Sequence, residues 1–289
     1  MLLYTPMTSP TTAKSETPIL ITVQGQARSG KGTLAAALKV DLATEFSVHL
    51  IDQGLKFRII AERYLQDGAD IEDIDAIGAY LESDGYSSVL KQLSVVGSMG
   101  KDDIQRVYYT PQINNASGMV GKSAVAQKKV VELLIDQVTN EAKTNDIIIL
   151  DGRAMLEKGR KLESMGVVRY PLALDVKCSS LVAAQRITDL VKPIEDLTPE
   201  EAKRLLIQVS DIDKRNSADA RRKVYASLPI SGAFEFDVTH YHSPAEFDEA
   251  VDQAIATGSI SLDNSYTRKK DEFTIPAIKL VRGVLAKLT

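Results

Sequence analysis

The chain has 289 residues, of which 44% are hydrophobic, and a formal net charge of −4. This composition is enough for one large α/β domain with inserted segments, or for two domains, and the negative charge argues against general nucleic-acid binding. A single cysteine, Cys178, excludes an internal disulfide framework and suits a reducing compartment. Because no apolar stretch approaches the ~20 residues that span a bilayer, we expect a cytoplasmic protein that binds neither membranes nor specific nucleic acids.

The first residues, Met1–Thr17, are rich in Thr, Ser and Pro and contain no continuous apolar segment. Such a composition is typical of a disordered lead rather than of a secretory signal. We therefore expect the folded core to occupy residues 18–257.

Five short apolar runs have the composition of buried parallel strands, and amphipathic helical patterns lie between them. This alternation predicts a parallel sheet covered by helices on both faces, and ligands bind such sheets beyond the carboxyl ends of the strands. Four of the predicted strands have a glycine or an aspartate at or just past their carboxyl ends: Gly25, Asp52, Asp151 and Asp237. Their common position indicates one shared site. The predicted strands are Ile19–Val23, Val48–Ile51, Ile147–Leu150, Leu172–Val176 and Phe234–Val238, and the clearest predicted helices are Leu34–Glu45, Ala124–Lys143 and Leu181–Val191.

Two segments interrupt this alternation. Asp67–Gly118 has acidic stretches, scattered glycines and only two weak strand-like pieces, Ser88–Val96 and Ile104–Thr110, so it reads as an insertion. Lys192–Lys223 is polar and helical. Within it, Thr198 precedes a proline and two glutamates, a pattern that predicts the capped start of a helix.

The last segment, residues 258–289, differs in character from the core. Ile278, Val281, Leu285 and Leu288 fall on one helical face. One interpretation is an amphipathic helix for a partner or an anionic surface. The other is a terminal helix that packs on its own domain.

The most specific motif is the segment GQARSGKGT, which follows the first predicted strand and leads into the first predicted helix. A Gly-x4-Gly-Lys pattern in that position is typical of a phosphate-binding loop rather than of an ordinary glycine-rich turn. In such a loop backbone N–H groups and the helix end hold phosphate oxygens, Lys31 reaches the outer phosphates, and Thr33 can supply a hydroxyl near Mg²⁺. The motif therefore predicts a nucleoside triphosphate with Mg²⁺, bound through Gly25, Ser29, Gly30, Lys31, Gly32 and Thr33.

Four arginines stand where a phosphoryl-transfer site needs fixed cations. Arg58 and Arg153 follow predicted strand ends, and Arg215 and Arg222 lie in one polar helical segment. A planar guanidinium group meets phosphate oxygens bidentately, and phosphoryl transfer depends largely on positioning and charge stabilisation. The spacing Arg215-x3-Asp219-x2-Arg222 also permits a simple ion pair within a helix, and a lone surface arginine is usually solvated.

Asp151 ends the most hydrophobic predicted strand. A carboxylate there is well placed to hold Mg²⁺ directly or through water, and the alternative is a cap for the following turn. Asp52 is similarly placed and could orient Arg58 or the loop. The three histidines give no usable set of metal ligands, and no base can be assigned to activate Cys178.

The phosphate-binding loop is followed by four shorter motifs, Leu50–Arg58, Tyr109–Ile113, Asp151–Arg153 and Arg215–Arg222. Their order and sequences, with the Gly-Lys-Gly-Thr form of the loop, resemble the cytidylate kinases, which are nucleoside monophosphate kinases. The family's counterparts of the first three read Leu-Asp-Ser-Gly-Ala-Ile-Tyr-Arg, Arg-Thr-Pro-Glu-Val and Asp-Gly-Arg, and the fourth matches the spacing in its lid. The resemblance extends from about residue 19 to about residue 258.

The resemblance implies a role for each matching residue. Arg58 would bind the acceptor's phosphate and Asp219 would face the acceptor's sugar hydroxyls, while Arg186 would lie on the triphosphate side. Ser117 falls on a serine of the family, and Gln53 also falls on a position of the acceptor site. The implied catalytic cations, around the acceptor and the transferred group, are Lys31, Arg153, Arg215 and Arg222, and the implied metal ligands are Thr33 and Asp151.

Several positions depart from the family's pattern in ways that bear on the acceptor. Gln53 stands in place of a serine, Phe57 in place of a tyrosine and Ala154 in place of an aspartate. Ala126 falls where the family places an arginine. The aspartate and the arginine are groups that the family uses to read the cytosine edge and hold the acceptor, so their loss leaves the acceptor's identity open.

We therefore expect a three-layer P-loop NTPase fold with a five-stranded parallel sheet, an acceptor-binding insertion at residues 59–119 and a lid at residues 187–222. The expected activity is phosphoryl transfer from ATP, with Mg²⁺, to a nucleoside monophosphate, CMP or dCMP first. The alternatives are a different phosphorylated acceptor, or a nucleotide-binding regulatory protein that has lost transfer. Small nucleotides are the expected partners, and the expected assembly is a monomer or weak homo-oligomer.

Overall fold

The computed structural model describes residues 17–221, 229–239, 243–266 and 269–288. The strands in these ranges are β1 (Ile19–Gly25), β2 (Val48–Asp52), β3 (Ile147–Asp151), β4 (Arg169–Lys177), β5 (Phe234–Phe236) and β6 (Ser259–Asp263). They form one parallel sheet in the order β2-β3-β1-β4-β6-β5. The predicted α/β fold with a parallel sheet is thus confirmed.

Helices precede or follow every strand in the described part of the chain, and a short 3₁₀ turn lies at Ile194–Asp196. The α-helices are α1 (Lys31–Leu42), α2 (Gln53–Gln66), α3 (Ile74–Leu81), α4 (Gly85–Val96), α5 (Lys101–Tyr108), α6 (Pro111–Val120), α7 (Ala124–Glu141), α8 (Met155–Ser164), α9 (Ser180–Thr188), α10 (Pro199–Ala220), α11 (Pro244–Thr257) and α12 (Lys270–Leu288).

The sheet has six strands in this part of the chain rather than the five that we predicted. The additional strand is β6, which lies between β4 and β5 and pairs with both. Its sequence places Ser259 and Ser261 in alternation with apolar residues, and both serines are buried. Two serines in five residues mask the apolar run that marks a buried strand, so the segment reads as the start of a polar tail.

Two layers of helices cover the sheet, and alternate strand residues point to each layer. Ile21 and Val23 belong to one apolar cluster, which α1, α11 and α12 complete, while Leu20 belongs to a second cluster. Helices α2, α7 and α8 complete the second cluster. The three-layer arrangement follows from strands that are apolar on both faces.

The insertion is entirely helical in α2 to α6, so the two weak strand predictions within it are wrong. Ser88–Val96 lies in α4, and Ile104–Thr110 begins in α5. Val89 and Val96 are buried seven residues apart, which is the spacing of one helical face. The side chain of Thr110 accepts a hydrogen bond from the Ile113 N–H and caps α6.

The terminal helix α12 packs on its own domain, which confirms the second of the two interpretations. Phe273, Val281 and Leu285 are buried in the same cluster as α1. The Arg282 guanidinium donates to Asp41 at 2.5 Å and to Glu45 at 2.7 Å. None of the described helices combines the length and the apolar composition needed to cross a membrane.

Helix α10 begins at the predicted cap. The Thr198 hydroxyl accepts from the Glu201 N–H, and the Glu201 carboxylate accepts from the Thr198 N–H at 2.9 Å. Leu205 and Ile212 pack against α9, so the helix rests on the segment that follows β4. The C-terminal end of α10 lies near the carboxyl ends of the strands.

Candidate active site

Three of the four residues that we predicted at strand ends lie together at the carboxyl ends of neighbouring strands. Asp52 and Asp151 are direct partners in the β2–β3 register, and β1 lies on the other side of β3. Gly25 is the last residue of β1. Asp237 follows the edge strand β5, three strand positions from β1, or roughly 14 Å at the usual strand spacing. The shared site therefore lies at the ends of β1, β2 and β3.

The loop between β1 and α1 has the backbone geometry that phosphate binding requires. Gly25 and Gly30 have φ of 150° and 96°, a region that favours glycine. A Cβ on Gly25 would lie 2.1 Å from the Val176 carbonyl oxygen. Gly30 precedes α1, and none of the described side chains caps that helix. The first N–H groups of α1 are therefore available for phosphate oxygens.

The charges of Lys31 and Asp151 interact beside this loop. Desolvation lowers the pKa of Lys31 to about 8; the charge of Asp151 opposes that shift, and the charges of Arg153 and Arg215 add to it. Desolvation also raises the pKa of Asp151 to about 7, with the charge of Asp52 adding to the shift. The Lys31 Nζ donates to the Gln26 carbonyl at 3.2 Å. Burial therefore destabilises the charged form of each side chain. A bound phosphate would stabilise the Lys31 charge, and a bound metal ion would stabilise the Asp151 charge.

Two buried oxygen atoms beside the loop have no hydrogen-bond partner in the described part of the chain. They are Oγ of Ser29 and Oδ1 of Asp151. The other carboxylate oxygen of Asp151 would lie 3.2 Å from a Cβ placed on Gly32. Buried polar atoms are normally paired, and these two lie beside the loop, so both are candidates for contact with a bound ligand.

The alternative role for Asp151, a cap for the following helix, is wrong. Helix α8 begins at Met155 after Ala154, whose φ is 51°. Its first N–H groups donate instead to Oε1 of Gln24, from Met155 at 2.9 Å and from Leu156 at 3.1 Å. The carboxylate of Asp151 is therefore left for the site.

A metal ion at Asp151 would need ligands from the substrate. Within the described ranges no three His, Cys, Asp or Glu side chains are grouped closely enough to hold a metal by themselves. Mg²⁺ is commonly held by one or two carboxylates together with phosphate oxygens and water. The orphaned oxygen of Asp151 and the exposed hydroxyl residue Thr33 fit that mode of binding. His240 and His242 lie outside the described residues.

The turn after β3 is built by two buried polar side chains. Oε1 of Gln53 accepts from the Arg153 N–H at 3.0 Å. Nζ of Lys158 donates to the carbonyls of Arg153 and Ala154, at 2.9 Å and 2.8 Å. A Cβ on Gly152 would lie 2.5 Å from Oε1 of Gln53, so glycine is needed there. The side-chain amide oxygen of Gln53 thus positions the backbone of Arg153.

Helix α10 brings its carboxyl-terminal half over the phosphate-binding loop. Arg153 forms an ion pair with Asp219. Oδ1 of Asn216 accepts from the Ala27 N–H at 2.9 Å, and Arg215 contributes to the electrostatic field at Lys31. The structure thus brings Arg153, Arg215 and Asp219 together with the loop. The fourth predicted cation, Arg222, lies outside the described residues.

Arg58, which we predict to bind the acceptor's phosphate, is held by the insertion. Its Nε donates to Oδ1 of Asn114 at 3.1 Å, and its guanidinium carbon lies 4.2 Å from the centre of the Tyr109 ring. The Tyr109 hydroxyl donates to Asp52, which also caps α2 by accepting from the Gly54 N–H at 2.6 Å. Burial, and then the charge of Asp52, raises the pKa of Tyr109. Asp52 therefore holds both the Tyr109 hydroxyl and the start of α2.

Ser117 and Ala126 lie beside this acceptor side. The Ser117 hydroxyl donates to the Asn114 carbonyl at 2.9 Å. Ala126, where the resemblance would place an arginine, is fully buried in the apolar core. An arginine of ordinary length would not fit that packing without rearrangement.

Arg186 approaches the site from the opposite side, on α9. It donates to the carbonyl of Asn264 at 2.5 Å and to Oδ1 of the same residue at 3.3 Å. Asn264 in turn donates to the Ser29 carbonyl at 2.8 Å. Sequence reasoning assigned no role to Asn264, because no local pattern links it to a loop 235 residues earlier.

Comparison with known proteins gives one consistent family. A model of the cytidylate kinase family matches residues 21–257. A cytidylate kinase from Vibrio parahaemolyticus is 26% identical over 251 residues, covering 83% of this chain and 95% of that protein. Cytidylate kinase 1 from Haemophilus influenzae is 27% identical over 248 residues, covering 82% and 92%. A solved GTPase from Pyrococcus abyssi matches with a TM-score of only 0.28, which supports no argument.

Proposed function

Because this chain belongs to the cytidylate kinase family, we propose that it transfers the γ-phosphoryl group of ATP to a nucleoside monophosphate, with CMP or dCMP as the first candidates. Two arrangements support this assignment: a donor site at the loop Gly25–Thr33 and a set of arginines around the same sheet edge. Phosphoryl transfer needs both, since it holds two anionic substrates together and stabilises the charge between them.

The observation that carries the donor side is the pair of orphaned oxygens beside the loop, Oγ of Ser29 and Oδ1 of Asp151. The triphosphate would bind the N–H groups at the start of α1, with Lys31 on its outer phosphates. Bound Mg²⁺ would supply charge neutralisation on the phosphate oxygens, and Thr33 with Asp151 would hold it. The two strained charges of Lys31 and Asp151 would then have partners.

On the acceptor side we assign Arg58 to the phosphate of the monophosphate, with Asn114 and Tyr109 fixing the direction of the guanidinium group. An oxygen of that phosphate attacks the γ-phosphorus in line, the bond to the β–γ bridging oxygen breaks, and ADP leaves. Arg153 and Arg215 stabilise the charge on the transferred group. Gln53 acts through the Arg153 backbone, and Ser117 acts through Asn114.

We further assign residues 59–119 to acceptor binding and residues 187–222 to a lid. The contacts that support the lid are the Arg153–Asp219 ion pair and the bond from Ala27 to Asn216. Closure of such a segment would exclude water and limit simple hydrolysis of ATP. The cytoplasmic location and a monomer or weak homo-oligomer remain predictions.

The test is a substrate panel with ATP and Mg²⁺ against CMP, dCMP, UMP, AMP and GMP, following ADP formation. We expect CMP or dCMP to have the highest kcat/KM, and Lys31→Ala to depress transfer by about 10²-fold or more. Turnover of CMP with no preference over UMP or AMP would contradict the cytidylate assignment. Arg222→Ala should also depress transfer. A rate equal to that of the parent would contradict the assignment of Arg222 to the lid.

A different phosphorylated acceptor is the second candidate, because the base-reading side has changed. Ala154 carries no polar group and Ala126 is buried in the core. A site that lacks hydrogen-bonding groups for a base edge discriminates weakly. Turnover confined to a phosphorylated sugar or other small molecule would support it, whereas tight ATP binding with no turnover of any acceptor would support a regulatory protein.

A further inference from the structure

The segment from Ser259 onward lies beyond the residues that the family model matches, which end at Thr257. In the structure it is nevertheless part of the centre of the molecule. Strand β6 separates β4 from β5 in the sheet, and α12 packs against α1, the helix that carries the phosphate-binding loop. This chain therefore builds one side of its donor site from residues outside the shared family region.

Asn264 is the point of contact between this segment and the loop. It follows β6 directly, and only 5% of its surface is exposed. Its backbone N–H donates to the Lys177 carbonyl at 2.9 Å, which fixes its position at the end of the sheet. Its side-chain Nδ2 donates to the Ser29 carbonyl at 2.8 Å.

The contact with the loop is tight as well as polar. A Cβ on Gly30 would lie 2.5 Å from Nδ2 of Asn264 and 4.0 Å from the ring of Phe273 on α12. On its other side, Asn264 accepts from Arg186 through both its carbonyl and its Oδ1. One side chain thus contacts the phosphate-binding loop and the arginine assigned to the triphosphate side.

We propose that Asn264 is a positioning residue for the donor site, which holds the phosphate-binding loop in its binding conformation and orients Arg186 toward the triphosphate. A loop that cradles phosphates must turn successive N–H groups inward. The carbonyl of Ser29 must then face outward into the protein, where it needs a donor, and Asn264 supplies one. The inference rests on the proposed function only for the identity of the ligand.

A purely structural role predicts something different. If Asn264 only attached the C-terminal segment, any change that loosened that segment would weaken ATP binding equally. The matched control is Arg282→Ala, which removes the ion pairs between α12 and the end of α1 without touching Asn264. The informative variant is Asn264→Asp, because a carboxylate keeps the acceptor for Arg186 but cannot donate to Ser29 when ionised.

The experiment is calorimetric titration of the full chain with ATP and Mg²⁺, with unfolding curves for every variant. We expect Asn264→Ala and Asn264→Asp each to raise the Kd of ATP about tenfold, the effect of losing one buried hydrogen bond. The KM of the acceptor should stay within about twofold of the parent. Arg282→Ala should lower the Tm and leave the Kd unchanged.

Parental affinity in a folded Asn264→Asp protein would overturn the inference, as would an equal loss of affinity in Arg282→Ala. If Asn264→Ala does not fold, Asn264→Asp carries the test alone. Since binding needs no acceptor, a parent that binds ATP but transfers nothing would refute the proposed activity and leave this inference standing. A parent that does not bind ATP would overturn both.

Discussion

Arg153, on the turn after β3, and Asp219, near the end of α10, form a buried ion pair whose side chains are 15% and 5% exposed. The resemblance implied that each would face the acceptor, and in the structure they face each other. The pair joins the core turn to the proposed lid. A guanidinium group has five N–H donors in a planar fork, so one arginine can bind a carboxylate and a phosphate oxygen together.

Asp219→Ala should therefore reduce both stability and transfer. Removing the Asp219 carboxylate takes an ion-pair partner from a guanidinium group that is only 15% exposed, which costs about 1.5–3 kcal/mol of the free energy of unfolding. We expect kcat/KM for the acceptor to fall by about 10²-fold, because Arg153 loses its direction. Urea unfolding and steady-state kinetics measure the two effects.

Two further variants sharpen this test. The double variant Arg153→Ala/Asp219→Ala should lose less stability than the sum of the single changes, because the residues are in contact. Asp103→Ala removes a carboxylate from an exposed pair with Arg106 on α5 and should leave unfolding and kinetics unchanged. Additive effects of the buried pair would show that the two residues act independently.

The pKa values at the loop predict a maximum in ATP affinity between about pH 7 and pH 8. Below about 7 Asp151 takes up a proton, and above about 8 Lys31 loses one. Both ionised forms are needed to hold Mg²⁺ and phosphate. Titrations across this range should show Kd rising on either side of the maximum.

Asp151→Asn isolates the acid limb of this profile. The variant cannot ionise, so its Kd should be raised throughout and should no longer increase further below pH 7. Dividing the Kd of the variant by that of the parent at each pH cancels the ionisation of ATP itself. If this ratio did not change with pH, Asp151 would not be the group that titrates.

The same substitution should stabilise the unliganded protein. Burial raises the pKa of Asp151 from its ordinary value of 3.8 to about 7. Between those values the folded state binds more protons than the unfolded state, so the free energy of unfolding falls as pH rises through this window. At pH 8 the full penalty is present, and Asp151→Asn should raise the Tm by a few degrees.

Asp136→Asn is the control for this substitution at pH 8. Asp136 on α7 is a carboxylate outside the site, so its replacement should leave the Tm nearly unchanged. A fall in Tm for Asp151→Asn would mean that its charge stabilises Lys31 by more than its own burial costs. A gain in stability with loss of transfer is the pattern expected of a charge retained for function.

The sequence predicted the strands and the loop because their signals are local. β3 is apolar up to its last residue, Asp151, and the first five residues of β1 are apolar apart from Thr22. Gly25 is required because a Cβ there would meet the Val176 backbone. The sequence did not predict β6, because two serines interrupt its apolar run although both are buried in the folded sheet. The positioning residues could not be predicted from the sequence, because their contacts are not local. Gln24, for example, binds backbone N–H groups 131 and 132 residues away.

Tyr109 gives the last prediction, because it stands where the resembling family has an arginine. Its hydroxyl donates to Asp52 and its ring lies against Arg58. Tyr109→Phe removes the hydroxyl and keeps the ring, so Asp52 loses one donor and attracts the Arg58 guanidinium more strongly. We expect the KM of the acceptor to rise by about 3–10-fold, with kcat and the Kd of ATP close to those of the parent.

Tyr80→Phe is the matched control, since it makes the same chemical change on α3 of the same insertion, where the hydroxyl donates to Asp67 at 2.7 Å rather than to Asp52. It should leave every kinetic constant unchanged. Tyr109→Ala, which also removes the ring from Arg58, should raise KM further than Tyr109→Phe does. If Tyr109→Phe and Tyr80→Phe had the same acceptor KM, the hydroxyl of Tyr109 would have no part in holding Arg58, and the orientation of that arginine would depend on Asn114 and on the ring of Tyr109.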